Sequence, residues 1–234
     1  MPEVSFSIST AEERRINELL AALRSNVDVS WDKKSFYLND VFIEEFQSRL
    51  LSQHVFLGTP LFQENFDRAF IASAECAGLE VVEAVGGQRF WDVRIGNRNL
   101  SLKSSKAKSL RKDRLHISKL TEAAWIQDCR SAKLRRDHTF DLFRSYCEEV
   151  DEIIQLRYFQ KTRTYEIVGI PVKILQKVLD LPVSAFNADG PTINIPIGQE
   201  IPDFTLKLDR SDAKITLANI NKAVCKVHAN WVLR

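Results

Sequence analysis

The run Phe90-Trp91-Asp92-Val93-Arg94-Ile95, a Gly96-Asn97-Arg98-Asn99 reversal and then Leu100-Ser101-Leu102-Lys103 constrain this chain most. Two alternating β-branched and aromatic stretches around turn residues specify a tight hairpin rather than a helix. The hairpin sets Asp92 and Lys103 side by side on adjacent strands. A hard divalent cation takes carboxylate oxygens, and the charge that builds on a phosphodiester under attack is offset by a nearby ammonium. An ordinary cross-strand ion pair would use the same two residues.

Asp92 and Ser101-Leu102-Lys103 match the Asp…(Asp/Glu)-x-Lys signature of the PD-(D/E)XK nuclease superfamily, except that serine stands at the middle acidic position. A serine supplies no charged ligand, so a second carboxylate has to come from elsewhere. Beyond Lys103 follow Lys106, Lys108, Arg111, Lys112, Arg114, His116 and Lys119, broken only by the acid Asp113 and interleaved with serines. Cations release counterions from DNA and short hydroxyls bond phosphate oxygens, so the composition suits a phosphate backbone; a solvated basic loop is the competing reading. His116 has the alternatives of phosphate or base contact and a structural place in an alternating apolar stretch.

The segments 101–109, 115–119, 154–159 and 224–231, together with 39–42 and 66–70 upstream, resemble the SmaI family of type II restriction endonucleases in residues, order and spacing. The resemblance implies a magnesium-dependent enzyme that cuts double-stranded DNA at a short palindrome as a homodimer. It also implies that the middle position of the signature can lack an acid. Residues 182–198 resemble the family poorly. The acids that could complete a metal site are Glu64, Asp67 and Glu83; the family pattern has an acid near the places of Asp67 and Glu83. In that scheme Asp92, one of these acids and the Leu102 carbonyl hold magnesium, and Lys103 orients the attacking water, with Glu83 the first candidate to assist. A surface carboxylate is the alternative for each supplementary acid. His54 and His138 carry no signal, and His228 is as readily structural as functional.

At 234 residues and 44% hydrophobic content the chain can bury one sizeable core, and it is expected to form a single domain. A net charge of +2 argues for nucleic acid only through its clustering. Cys76, Cys129, Cys147 and Cys225 are scattered without a C-x-x-C pair, which predicts reduced buried thiols rather than zinc or disulfides. No long apolar run or signal-like start is seen, so a cytoplasmic protein without a membrane partner is expected.

Periodicity predicts a first helix opened by a Thr10/Glu13 capping box and carrying Ile16, Leu19, Leu20 and Leu23. Further helices are expected around residues 41–50 and 62–77, the latter ended by Gly78, then strands 79–85, 90–95 and 100–104. Helices 120–129 and 140–150, strands 153–159 and 165–170, and a short helix opened by Pro171 complete the ordered part. The remainder reads as short strands and loops beside the sheet. The predicted class is α/β, a restriction-endonuclease-like mixed central sheet flanked by helices. The stripe on the first helix, or Val41 with Phe42, serves either the core or a dimer surface.

The same residues admit a monomeric repair or nicking nuclease, or a DNA-binding protein with a silent nuclease fold. Symmetric cleavage of a palindrome separates the first reading from these two.

Overall fold

The structure, a computed structural model, describes residues 8–105, 107, 109–189 and 191–234, the side chain of Glu64 excepted. Lys106 and Lys108 therefore lie outside the described residues. The helices are α1 (Thr10–Leu23), α2 (Asp40–Leu57), α3 (Gln63–Cys76) and α4 (Ala132–Glu149). The strands are β1 (Val27–Trp31), β2 (Val81–Glu83), β3 (Val93–Ile95), β4 (Arg98–Ser104), β5 (Arg114–Glu122), β6 (Glu152–Phe159), β7 (Thr164–Pro171), β8 (Thr192–Ile195), β9 (Phe204–Asp209), β10 (Lys214–Asn221) and β11 (Lys226–Leu233).

Seven strands form a central sheet in the order β1-β11-β7-β6-β4-β3-β2, and β5-β10-β9-β8 form a second, antiparallel sheet. Only β4 and β6 run parallel in the central sheet, so the chain needs a long crossover between them. β5 and α4 supply it. This is the mixed α/β architecture expected. One face of the central sheet packs Phe42, Phe46, Phe66 and Phe70 from α2 and α3 together with Trp231. The other face packs α4 and the second sheet through Phe140, Phe143, Leu206, Ile215 and Leu217. Alternation along β6 assigns Ile154 and Leu156 to the first core and Ile153 to the second. Gln155 and Arg157 are thereby turned toward the second sheet, where both bond to main-chain carbonyls of β5 or its approach.

Local chemistry explains the boundaries. α1 starts one residue earlier than its sequence suggested, because Ser9 and Glu12, not Thr10 and Glu13, exchange the two hydrogen bonds of a capping box. Gly78, at φ +73°, closes α3: its amide donates to Glu75 O and that of Leu79 to Ala74 O at 3.1 Å, the Schellman arrangement. Gly169 in β7 has a different reason. A Cβ there would collide with the Glu152 carboxylate and the His228 imidazole, which bond to each other across that strand at 3.1 Å.

Four expectations need correction. Residues 120–129 are not a helix: Leu120 to Glu122 end β5, and only 124–126 make a 3-10 turn. β2 and β3 are shorter than the stretches 79–85 and 90–95. Pro171 precedes a 3-10 run, Val172–Asp180, rather than an α-helix. Cys76 is exposed and the other three thiols only partly covered; all four are free. Among the described residues no helix is long and apolar enough to cross a membrane.

Candidate active site

Asp92 stands one residue before β3 and prolongs the hairpin. Its amide donates to Leu100 O at 2.9 Å and its carbonyl accepts from Ala84 N at 3.0 Å. Phe90, two residues earlier, holds φ +77° with its ring against Tyr146. A bulky residue in that region is strained, and such strain persists only where packing imposes it.

With its backbone fixed on both sides, Asp92 turns its carboxylate onto β4. Oδ2 accepts from Leu102 N at 2.6 Å, Ser101 Oγ at 3.3 Å and Lys103 Nζ at 3.4 Å. The ammonium also donates to the Leu102 carbonyl at 3.0 Å. One cation thus spans a carboxylate oxygen and a carbonyl oxygen, the hard donors that a divalent ion takes. The expected pair is brought together. Ser101 is fully buried beneath Asp92 and next to the buried Tyr146 hydroxyl, whose pKa is pushed up by burial first. An acid at position 101 would be shut in beside a second carboxylate and could not ionise cheaply.

The supplementary acids both lie by α3. Glu83 pairs opposite Val93, whose side chain enters the core with α2 and α3, and its carboxylate meets Arg68 at 3.3 Å. Asp67 is closer to the pair through one amide: Gln63 Nε2 lies 3.3 Å from Asp67 Oδ2 and 3.4 Å from Leu102 O. Gln63 also straps α3 to the end of β4, its main-chain N–H donating to Ser104 Oγ at 2.7 Å and its Oε1 accepting from Ser104 N at 3.3 Å. Among the described residues no three His, Cys, Asp or Glu side chains converge as metal ligands would. The donor set in place is one carboxylate and one carbonyl, which fits a hard cation that keeps waters in its remaining positions.

A cleft of about 720 Å³ opens over the pair, walled by Phe90, Trp91, Lys119 and Trp125. The basic segment follows along β5 and its approach. Arg111 is ion-paired with Asp113 at 3.2 Å, and Lys112 is exposed. Arg114 is mostly covered and donates to Asn219 O at 3.2 Å, which makes it an anchor between strands. His116 has its pKa lowered by burial first and then by Lys207 and Lys214, and Lys119 pairs with Glu122 at 2.7 Å. Beneath the segment, buried Arg157 donates to the carbonyls of Arg111 and Arg114 while meeting Glu166 at 2.7 Å. Lys222 meets the other oxygen of Glu166.

Sequence reasoning missed Gln63, Tyr146, Gln155 and the inward role of Arg157. A signal for the last two was present, since Ile153-Ile154-Gln155-Leu156-Arg157 places polar groups in a strand otherwise suited to burial on both faces. The family model described as SmaI: Type II site-specific deoxyribonuclease matches residues 20–233. The chain is also similar to the type II restriction enzyme SmaI of Serratia marcescens, at 24% identity over 208 residues covering 82% of this chain and 80% of that protein. No solved structure matches.

Proposed function

Since the chain belongs to the SmaI family of type II site-specific deoxyribonucleases, we propose that it hydrolyses both strands of duplex DNA at a short palindrome, with Asp92 and Lys103 at the reacting phosphate and magnesium as the cation. The observation that carries the site is the single ammonium shared by Asp92 Oδ2 and Leu102 O. Those two oxygens would hold the metal, with Asp67, linked to the Leu102 carbonyl through Gln63, the first choice of acid to complete the set and Glu83 the second. When bound, the ion supplies Lewis-acid polarisation of the phosphoryl oxygen and a more acidic water.

The protein's own groups do the rest. Leu102 N and Ser101 Oγ fix the Asp92 carboxylate in one orientation before any ligand arrives. Gln63 keeps α3, and with it Asp67, against the end of β4. Lys103 orients the attacking water and offsets charge that develops on the phosphate. Trp91 and Trp125 wall the cleft. Arg111, Lys112 and Lys119, with Lys106 and Lys108, meet the DNA backbone, while the Arg114 side chain and the His116 carbonyl anchor that strand. Two copies of the chain, related by a two-fold axis, act on the two strands.

Asp92→Ala and Lys103→Ala are expected to abolish cleavage of plasmid DNA in magnesium, a loss of at least about a thousandfold, while duplex affinity measured in calcium changes little because most of it comes from spread phosphate contacts. Mapping the ends left by the parent protein identifies the site. Substantial cutting by either variant would remove these residues from the chemistry, and single nicks at unrelated positions would favour a monomeric nicking enzyme.

A further inference from the structure

Gln155 stands in register with Lys103 on the parallel neighbour β6. Register partners point to the same face of a sheet, so both side chains enter the gap under β5. Gln155 is 1% exposed. Its Nε2 donates to His116 O at 2.8 Å, which fixes which end of the amide faces the second sheet. The other end, Oε1, is buried and has no hydrogen-bond partner among the described residues. Buried amide oxygens are nearly always paired, so an exception calls for an explanation, a catalytic role among them.

The partner is already on the same face. Lys103 now lies on Asp92 and the Leu102 carbonyl, the two oxygens that a divalent cation would take. Like charges a few ångström apart in a half-covered cleft repel, so the ammonium has to leave when the metal comes. We propose that Gln155 is a positioning residue for Lys103: its Oε1 accepts the ammonium displaced by the metal, keeping the amine beside the cleft and lowering the cost of metal entry. The proposal rests on the reading of Asp92 and Leu102 as metal ligands.

Metal entry can be read without catalysis. Manganese(II) is titrated into the full chain in the absence of DNA, with the free ion followed by electron paramagnetic resonance, for the parent, Gln155→Leu, Lys103→Ala and the double variant. Gln155→Leu should weaken manganese binding by roughly three- to tenfold in the parent, and by less than about twofold in the Lys103→Ala background, where no amine needs a new acceptor. Equal weakening in both backgrounds would make Gln155 a mere strap to β5 and overturn the proposal alone. Binding that survives Asp92→Ala would overturn the metal site and the proposal with it. If Gln155→Leu fails to fold, Gln155→Glu serves, because it keeps an acceptor and loses the donor to His116. Affinity equal to or above that of the parent is then expected, and a loss would overturn the proposal.

Discussion

Lys103 and Asp92 show how one side chain can hold a site ready and also block it. The ammonium neutralises the carboxylate, in the proposed site until a metal ion enters, and neither charge is left unpaired in a half-covered cleft. Elsewhere a titrating residue makes the fold itself sensitive to acid. His54 bonds the Tyr165 hydroxyl at 2.7 Å, and burial first, then Arg163, lower its pKa from 6.5. An unfolded chain takes up that proton before the folded one, so the stability is complete above pH 6.5 and is lost as pH falls toward the folded value. His54→Gln should lose less stability than the parent between pH 7.5 and 5.5, as read from urea midpoints. A part of the acid loss remains, because His116 is shifted in the same direction; identical losses in the two proteins would exclude His54 as a source. Asp92 and Lys103 could be read from the sequence because a hairpin turns sequence spacing into spatial proximity. Gln63 and Tyr146 could not, since helix packing and the crossover bring them to the pair from 29 residues before Asp92 and 54 after it.

At the scale of elements, β5 explains both the misread helix and the shape of the basic edge. Its alternation runs through Leu115 and Ile117 and then changes phase: Ile117 pairs with Leu217 but Thr121 with Ile215, so β5 spends four residues where β10 spends two. A bulge of this kind puts Leu120 at a spacing of three from Ile117, which in a sequence looks like the start of a helix. Strands joined through local turns were foreseeable, whereas β5 pairs with a strand about a hundred residues away and no local pattern announces that. The approach to β5 is held by its backbone. Arg157 grips the carbonyls on either side of Lys112 and Asp113, which leaves the Lys112 side chain exposed. Lys112→Ala is therefore expected to weaken binding to every duplex sequence alike and to reduce the dependence of log K on log salt by about one unit. Arg111→Ala should do less, because Asp113 already offsets that charge. A change in preferred sequence for Lys112→Ala would instead make it a base reader.

For the molecule as a whole, the question is how a chain with one Asp92 and Lys103 cuts two antiparallel strands. A two-fold axis through a palindrome makes the strands equivalent, so two copies place one site on each. The architecture leaves surface for such pairing. α1 buries none of its side chains, with Ile16 46% and Leu20 40% exposed, and of the pair Val41 and Phe42 at the start of α2, Val41 is 48% exposed whereas Phe42 is wholly inside the core. If each protomer cuts one strand, a mixed dimer of parent and Lys103→Ala subunits should open circular plasmid DNA to the nicked form and stop there. Co-expression of the two chains in equal amounts gives about half mixed dimers by random pairing, and nicked circles should accumulate in that proportion in a single turnover. Sedimentation with and without a duplex carrying the mapped site supplies the stoichiometry. Linear product alone from purified mixed dimers would show one protomer cutting both strands in turn, and a single chain sedimenting on the cut duplex would dismiss the symmetric dimer altogether.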